Sequence, residues 1–457
     1  MGGNMGRLFG TDGIRGIYGG DLNSALARYV GRALVDVLKQ GSDIKPVILV
    51  GMDTRLSSPL LADSLMEGIC EAGGDAINLD ICPTPTVALL VTKHGYDAGV
   101  MISASHNPWD YNGIKIFGSD GYKLNDALEE KIEDLILDRT DDFGRAQRQG
   151  HYQVLFSGID EYIDYVKGAF NCSLDGLKLA IDCANGSAYI SAERIFTELG
   201  ADCLMLADNP NGININQDCG STHLESLRRA VIDNGLDLGI AFDGDADRCL
   251  CIDENGNEVD GDYILAILAY KLKKESKLKG NTLVGTVISN LGLRKFCEEN
   301  EIDFYPTKVG DRYVLDAINA GGLSLGGEQS GHIILRDIST TGDGQLTALA
   351  LLSYIKESGK SLSTLAAIMK KYPQYTTNIY ADENDKQALK TDCVIQKIIR
   401  DNENKIGTNG RILIRPSGTE RLIRIMTEGN DPALAEEICY SLAKNIGKRL
   451  VELKHTV

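Results

Sequence analysis

The sequence predicts an α/β protein with three similar mixed α/β domains and a smaller C-terminal α+β domain. Its 457 residues exceed the ~250–300 residues that one hydrophobic core usually serves. Short apolar runs alternate with amphipathic stretches of helical length, as in VILVG at 47–51, LADSLMEGICEAG at 61–73 and DAINLDI at 75–81, which is typical of β-α-β units. After about residue 372 the rhythm changes to mixed strands and helices.

Polar clusters near 140–157, 253–261 and 370–386 indicate where the domains meet. The expected domains are therefore 1–157, 158–258, 259–371 and 372–457.

A weak internal repeat supports the similarity of the first domains. The segments DAGVMISAS at 97–105 and DLGIAFDGD at 237–245 align without gaps, which pairs Ser105 with Asp245. Each is an apolar strand that opens into a polar loop, and LSLGGEQSGH at 323–332 is a third candidate. The alternative is that any α/β chain carries such loops, because ligands generally bind beyond the carboxyl ends of buried strands.

The composition indicates which partners are excluded and in which compartment the protein works. Lys and Arg number 47 and Asp and Glu 65, for a formal charge of −18, so nucleic acid and anionic membranes are not expected as partners. The eleven cysteines lack CxxC spacing, which favours free thiols in a reducing cytoplasm. The first residues do not read as a secretory leader, and no stretch approaches the ~18–20 apolar residues that a bilayer span takes. We expect a cytoplasmic protein.

The sharpest metal candidate is AFDGDADRCLCIDENG at 241–256. Its carboxylates Asp243, Asp245 and Asp247 recur every second residue after an apolar strand, a spacing that in an extended segment places all three on one side. Such oxygen donors suit Mg²⁺ or Ca²⁺. An EF-hand loop would need Gly where Arg248 stands, so the pattern favours magnesium beside phosphate. A solvated acidic turn is the alternative.

A second loop, VMISASHNPWDYNGIKIFGSDG at 100–121, offers Ser105, His106 and Lys115. A serine is a poor nucleophile unless a base, a metal or a pre-formed ester helps it. The repeat gives Ser105 the place of Asp245, from which it could carry a phosphoryl group towards the metal. Alternatively, the serine caps the following turn.

Three further loops carry polar groups of the kinds that bind sugar phosphates. GTDGIRG at 10–16 and RILIRPSGTERLIRIM at 411–426 combine amides, hydroxyls and guanidinium groups, which phosphate dianions require. GGEQSGH at 326–332 could hydrogen-bond sugar hydroxyls. Each could instead be an ordinary turn that satisfies its own backbone.

Taken in order, ISASHNP, DGDADR, GEQSGH and RPSGTE resemble the motifs of the α-D-phosphohexomutases over essentially the whole chain. Within that superfamily GTDGIRG, DCANG, NGININ, GSTH, KVGDRYV and TTGDG are similar to motifs of the bacterial phosphoglucosamine mutases. Gln329 favours this branch, because mannose and glucose phosphate relatives commonly have GEMSGH. The resemblance implies domains around a central cleft that carry, in chain order, the phosphoserine loop, the metal-binding loop, the sugar-recognition loop and the phosphate clamp.

The resemblance also implies a role for each candidate residue. Ser105 would be the phosphoserine and would share one Mg²⁺ per subunit with Asp243, Asp245 and Asp247. The other implied catalytic residues are Arg15 and Arg248 for charge on the transferring group, Lys115 and His332 as general acid and base, and His106 beside the nucleophile. The implied substrate-binding residues are Glu328 and Ser330 for hydroxyls, and Arg415, Ser417, Gly418 and Thr419 for the phosphate that does not react.

The implied reaction converts glucosamine 6-phosphate into glucosamine 1-phosphate, for UDP-N-acetylglucosamine synthesis, through a hexosamine 1,6-bisphosphate that also acts as activator. The partner is a small sugar phosphate. Three rivals stay open: a mutase for mannose or glucose phosphates, a sugar-phosphate sensor without turnover, and a metal-dependent phosphatase. The sequence leaves open whether the chain forms a homodimer.

Two departures from the motifs are visible. Ala246 stands where many relatives have Gly, which matters if the loop needs a positive φ. Arg421 stands where many have Pro and adds a cation near the expected clamp.

Overall fold

The computed structural model describes residues 8–10, 12–39, 41, 45–138, 149–417 and 421–454. These residues form two compact units, the first of residues up to Val287 with Asp303–Ile368, and the second of Ile288–Ile302 with Met369 onwards. Among the described helices none is both long and apolar enough to cross a membrane. The eleven cysteines all lie in the described part of the chain and are free thiols.

The first sheet of the first unit has the strand order β1-β2-β6-β5-β3-β4-β7. Its strands are β1 (Phe9–Gly10), β2 (Gly13–Ile17), β3 (Val47–Met52), β4 (Asp75–Ile81), β5 (Ala98–Ile102), β6 (Tyr111–Gly118) and β7 (Tyr152–Val154). Its helices are α1 (Ser24–Lys39), α2 (Ser58–Glu71), α3 (Thr84–His94) and α4 (Asp126–Asp138).

The apolar run VILVG forms β3 because it must be buried on both faces. Ile48 and Val50 pack into a core with α1, α2 and α4, whereas Leu49 packs into a core with α3 on the other face. Successive side chains of a strand point to opposite faces, so the first sheet is covered by helices on both sides.

The second sheet of this unit has the order β12-β11-β10-β8-β9. Its strands are β8 (Lys178–Asp182), β9 (Asp202–Leu206), β10 (Leu238–Phe242), β11 (Cys249–Asp253) and β12 (Glu258–Val259). The helices of this region are α5 (Gly158–Gly168), α6 (Ala192–Glu198) and α7 (Glu225–Asn234).

The third sheet has the order β14-β13-β15-β16. Its strands are β13 (Thr282–Thr286), β14 (Asp303–Thr307), β15 (Leu325–Gly327) and β16 (Ile333–Leu335). The helices of the surrounding chain are α8 (Gly261–Lys274), α9 (Leu291–Glu299), α10 (Asp311–Gly321), α11 (Gly344–Ser358) and α12 (Leu362–Ala366), of which α9 belongs to the second unit.

The three sheets of the first unit share one pattern of four strands. The orders β6-β5-β3-β4, β11-β10-β8-β9 and β16-β15-β13-β14 are equivalent. In each, three neighbouring strands run parallel and the first runs antiparallel to them. β5 and β10 are the two strands that the gap-free alignment pairs, and β15 takes the same place in the third sheet. The prediction of three similar mixed α/β domains is confirmed.

The second unit is the predicted α+β domain. Its antiparallel sheet has the order β17-β19-β18. Its strands are β17 (Gln374–Tyr380), β18 (Gly410–Pro416) and β19 (Leu422–Gly429). Besides α9, its helices are α13 (Glu383–Thr391), α14 (Cys393–Ile406) and α15 (Pro432–Lys454). Ile423 and Ile425 of the sheet pack against Ile438 and Leu442 of the long α15.

Candidate active site

The loops that follow β5, β10 and β15 meet in the first unit. The equivalence of these strands places their carboxyl ends at corresponding edges of the sheets, where parallel sheets bind ligands. Arg248 of the second loop pairs with His332 of the third in an antiparallel β-bridge. Ser105 of the first loop donates to Asp243 of the second.

The three aspartates converge as the sequence predicts, but by a different geometry. Ligand atoms of Asp243, Asp245 and Asp247 lie within 4.8 Å of one another, and none of the residues is more than 4% exposed. The segment is a turn and not an extended strand, because the Ala246 N–H donates to the Asp243 carbonyl at 3.0 Å. Ala246 has a φ of 58°, the left-handed conformation in which glycine is easier to accommodate.

This cluster fits a divalent cation. The Oδ1 atoms of Asp245 and Asp247 are buried and accept no hydrogen bond from any described residue. Burial, together with the charges of Asp247 and Asp245, raises the pKa of Asp243 well above its usual value. A hard cation offers these oxygens a partner and relieves their repulsion.

Ser105 lies directly against the acidic cluster. Its Oγ donates to Asp243 Oδ2 at 2.5 Å and lies 3.5 Å from His106 Nδ1. Burial and the nearby Arg248 and Arg15 lower the pKa of His106 to about 4, so the imidazole is neutral near pH 7. A Cβ on Gly244 would lie 2.6 Å from the Ser105 carbonyl oxygen, so the two loops can approach only because residue 244 is glycine.

Lys115 is a buried ammonium beside the aspartates. Its Nζ lies 2.7 Å from Asp245 Oδ2, 3.4 Å from Asp247 Oδ2 and 3.5 Å from Asp12 Oδ2. Burial alone would lower the pKa of Lys115, but these three carboxylates outweigh it and raise the pKa well above the usual value. Lys115 therefore holds its proton at neutral pH and has the protonation state of a general acid.

Two guanidinium groups lie beside the Ser105 loop and the aspartates. Arg15, on β2, pairs with Asp12 and lies 3.5 Å from the Ala104 carbonyl. Arg248 Nε lies 3.9 Å from Asp243 Oδ2 and 3.8 Å from Asp247 Oδ1. The Nε atoms of both arginines are buried without a hydrogen-bond acceptor among the described residues, which leaves them able to bind an anion.

His332 faces the same cluster from the third loop. Its Nδ1 lies 3.5 Å from Asp247 Oδ1 and its Nε2 3.8 Å from Asp311 Oδ2. Burial would lower the pKa of His332, but the charges of Asp247 and Asp311 outweigh it and raise the pKa. A Cβ on Gly342 would meet the imidazole at 2.4 Å, so the TTGDG motif supplies the space that the ring occupies.

The remaining residues of the third loop are partly engaged. Glu328 Oε1 accepts the Gly310 N–H at 2.9 Å. The Ser330 hydroxyl is buried and has no hydrogen-bond partner in the part of the chain that is described, which suits a group that awaits a ligand. Gln329 Nε2 donates to Asp260 Oδ2 at 3.1 Å, so this side chain joins its loop to the start of α8.

The predicted phosphate clamp lies in the second unit. Arg415 stands on β18 opposite Arg424 on β19, and burial together with the Arg424 charge lowers the pKa of Arg415. The Ser417 N–H donates to the Leu422 carbonyl at 2.8 Å. Gly418 and Thr419 lie outside the described residues.

Five residues of the site were not singled out from the sequence. Thr84 Oγ1 donates to Asp245 Oδ2 at 2.6 Å, and Asn216 Nδ2 donates to the Ser105 carbonyl at 2.9 Å. Lys123 bridges Asp12 and Asp311. Asp12, Asn216 and Asp311 belong to the quoted motifs GTDGIRG, NGININ and KVGDRYV, which could have signalled them, whereas Thr84 and Lys123 carry no such signal.

Four family models match the chain in order. They are phosphoglucomutase/phosphomannomutase alpha/beta/alpha domain I at residues 6–142, domain II at 160–256, domain III at 260–372, and the C-terminal domain at 377–445. Together they match more than half of the chain.

Individual proteins are similar over the same length. The chain is 50% identical to a phosphoglucosamine mutase of Acetivibrio thermocellus, over 98% of this chain and 100% of the relative. It resembles in fold a phosphoglucomutase/phosphomannomutase family protein from Burkholderia thailandensis, with a TM-score of 0.79 and 22% identity over 98% of this chain and 97% of the other. The N-acetylphosphoglucosamine mutase of Aspergillus fumigatus, solved with GlcNAc-6P and magnesium, has a TM-score of 0.68 and 17% identity over 97% and 96% of the two chains.

Proposed function

Because the chain belongs to the phosphoglucomutase/phosphomannomutase family, we propose that it is a phosphoglucosamine mutase, an isomerase that interconverts glucosamine 6-phosphate and glucosamine 1-phosphate. The phosphoglucosamine mutase of Acetivibrio thermocellus, which is 50% identical to this chain, supports this choice of substrate. A phosphoryl group on Ser105 passes to the free hydroxyl of the sugar phosphate, which gives a hexosamine 1,6-bisphosphate. That intermediate turns over in the site and returns its other phosphoryl group to Ser105.

One observation carries the proposal: the Ser105 hydroxyl donates to Asp243 within a buried cluster of three carboxylates. A sugar-phosphate sensor has no use for a nucleophile held against a metal-binding set. A phosphatase would pass the phosphoryl group of Ser105 to water, so release of free phosphate in the test below would identify it.

The residues around Ser105 suit the transfer of a dianionic group. Asp243, Asp245 and Asp247 would hold Mg²⁺ together with a phosphoryl oxygen on Ser105. Bound there, Mg²⁺ neutralises charge on the transferring phosphoryl group. The guanidinium groups of Arg15 and Arg248 bind the remaining oxygens, as charge-assisted donors do.

Proton movement is assigned to Lys115 and His332. Lys115 is protonated because Asp12, Asp245 and Asp247 raise its pKa, and its ammonium group would supply the proton to an oxygen when a phosphoryl group leaves it. His332 lies on the side of the third loop and takes the proton of the attacking hydroxyl when it is neutral. The same two groups exchange roles when the bisphosphate is turned round, because the second half-reaction reverses the first.

The sugar and its second phosphate are bound by other loops. Glu328 accepts hydrogen bonds from sugar hydroxyls, and Ser330 exchanges them with its own hydroxyl, which is buried without a partner among the described residues. Arg415, Ser417, Gly418 and Thr419 bind the phosphate that does not react. The free thiols of all eleven cysteines suit a cytoplasmic enzyme.

The direct test follows the sugar phosphates by ³¹P NMR. Purified protein is mixed with glucosamine 6-phosphate, Mg²⁺ and a trace of hexosamine 1,6-bisphosphate, and the measurement is repeated with mannose and glucose 6-phosphates. The proposal expects a glucosamine 1-phosphate signal that appears fastest. Faster conversion of mannose or glucose 6-phosphate would show that the substrate is a neutral sugar phosphate. Release of free phosphate, or no conversion at all, would show that the protein is not a mutase.

A further inference from the structure

A buried ion pair lies directly after β3, outside the set of residues assigned above. Asp53 and Arg55 follow the strand in the segment MDTR, and Arg55 Nε donates to Asp53 Oδ2 at 2.8 Å. Neither side chain has any exposed surface. Burying two charges in this way is costly unless every donor and acceptor is used, so their partners show what the pair holds.

Arg55 binds the backbone of the loop that carries Ser105. Its Nη2 donates to the carbonyls of Ser105 and Asn107, each at 2.9 Å. Its Nη1 donates to the Tyr111 carbonyl at 3.0 Å and to the Pro108 carbonyl. One rigid guanidinium therefore gathers four carbonyl oxygens of a turn seven residues long, between 105 and 111.

Asp53 holds the same loop from its other side. Its Oδ2 accepts the Ser103 hydroxyl at 2.7 Å, and Ser103 Oγ in turn accepts the Ser105 N–H at 2.9 Å. Its Oδ1 accepts the Ser58 hydroxyl at 2.7 Å. The peptide groups before and after the Ser105 Cα are thus both tied to one ion pair, the first through Ser103 and the second through Arg55.

The loop needs such restraint because Ser105 has a φ of 53°. A residue with a Cβ avoids the left-handed region, and it stays there only when the surroundings determine it. Asn216 adds to the restraint, since its Nδ2 donates to the carbonyls of Ser105 and Asn107 at 2.9 and 3.0 Å. In this conformation the Ser105 Oγ is directed at Asp243.

We propose that Asp53 and Arg55 are positioning residues, which hold the Ser105 backbone in the left-handed conformation that aims its Oγ at the acidic cluster. Neither residue touches substrate; both act through the loop. The inference rests on the proposed role of Ser105 as the phosphoryl carrier. Phosphoryl transfer depends on the alignment of attacking and leaving oxygens, so loss of this restraint should lower the rate of transfer more than the binding of sugar phosphate.

The test compares Arg55→Lys with Arg32→Lys. Lysine keeps the charge beside Asp53 but cannot reach four carbonyls with a planar fork. Arg32 is the matched control, because it is also a buried arginine of the first domain and its ion-pair partner, at 2.9 Å, is Glu71 of α2. For each protein we would measure kcat, KM for glucosamine 6-phosphate, the melting temperature, and the rate at which bisphosphate phosphorylates Ser105.

In Arg55→Lys we expect kcat and the rate of Ser105 phosphorylation to fall about a hundredfold, with KM changed less than about threefold. In Arg32→Lys we expect a lower melting temperature with kcat retained. A second variant, Ser103→Ala, removes one small hydroxyl and keeps the test open if Arg55→Lys does not fold. Its kcat should fall about tenfold, as the loss of one buried hydrogen bond at an aligned group implies.

Two results would overturn the inference: a kcat within about twofold of wild type in either Arg55→Lys or Ser103→Ala, or a loss in Arg55→Lys that appears equally in KM and in the control. If the wild-type protein converted no hexose phosphate, the proposed function would be wrong, and this inference would fall with it. If the wild-type protein were an active mutase and the variants had the same kcat, only the positioning role of Asp53 and Arg55 would be wrong.

Discussion

Ser105 Oγ donates a hydrogen bond of 2.5 Å to Asp243 Oδ2, although the two residues lie 138 positions apart. They follow equivalent strands, β5 and β10, of two different sheets. The proposed nucleophile of the first repeat therefore meets a carboxylate of the second. The reactive group is placed by the meeting of two copies of one structural unit, and Gly244 provides the room for the contact.

Removing this hydroxyl should stop turnover without unfolding the protein. Ser105→Ala is expected to lower mutase turnover by at least about a thousandfold, since the covalent carrier is lost. Its melting temperature should fall only slightly, because the substitution removes a single hydroxyl and the hydrogen bond that it donates to Asp243. Ser119→Ala, at an exposed serine further along the same chain segment, is the control and should be fully active. Phosphate transfer by Ser105→Ala at a wild-type rate would contradict the mechanism.

Magnesium should raise the thermal stability of the protein. Asp243, Asp245 and Asp247 repel one another in a buried cluster, and a cation that binds only the folded state adds about 2.7 kcal/mol at a hundred times its Kd. Melting curves recorded with EDTA and with rising Mg²⁺ measure the effect.

Asp245→Ala should lose most of that rise and most of the Mg²⁺ dependence of turnover. Asp63→Ala, at an exposed position of α2, should keep both. If Asp245→Ala were stabilised by Mg²⁺ as strongly as wild type, the cation would bind elsewhere.

The sequence was sufficient to predict the loops but not all of the contacts between them. Asp243, Asp245, Asp247 and Ser105 follow apolar strands, and the alignment of two segments placed Ser105 and Asp245 at equivalent positions. Alternation along the chain nevertheless gave the wrong geometry for the aspartates. The turn closed by Ala246 and Asp243 brings them together, and turn closure depends on φ values that residue spacing does not report.

Arg55 shows why other residues around the site could not be predicted from the sequence. Its partners Ser105 and Tyr111 lie 50 and 56 positions away, and its donors bind backbone carbonyls, which every residue has. No side-chain pattern can mark such a contact. The fold class was predictable because it depends on the period of apolar residues, whereas backbone clamps depend on which loops the finished fold brings together.

Gln329 is expected to set the shape of the sugar loop through Asp260. Its amide donates to Asp260 Oδ2 at 3.1 Å, and Asp260 also caps α8 by accepting the N–H groups of Asp262 and Tyr263. Methionine is similar in length but cannot donate. Gln329→Met should therefore loosen Glu328 and Ser330, and raise KM for glucosamine 6-phosphate about fivefold with a smaller change in kcat.

The measurement is kcat and KM for the 6-phosphates of glucosamine, mannose and glucose. Gln217→Met, at an exposed glutamine, serves as the control and should match wild type. Unchanged KM values for all three sugars in Gln329→Met would show that the hydrogen bond to Asp260 does not position the loop.

Glu129 should make the unfolding free energy of the protein fall as the pH rises from the weakly acidic range to neutrality. Burial, assisted by the charge of Asp126 and opposed by Arg312, raises the pKa of Glu129 from 4.5 to about 7, and its side chain is 12% exposed. Between these pH values the folded protein holds a proton that the unfolded chain has released. The stabilisation is therefore complete below about pH 4.5 and lost by about pH 7, with a size of about 3 kcal/mol.

Glu129→Gln removes this titration and should flatten the pH dependence. Melting of wild type and variant at about pH 5 and about pH 8 gives the comparison, and the difference in unfolding free energy between the two pH values should shrink by about 2–3 kcal/mol in the variant. Glu130→Gln, at the exposed neighbour on α4, is the control and should leave the wild-type pH dependence in place. An equal loss of stability between the two pH values in Glu129→Gln and wild type would assign the effect to other groups.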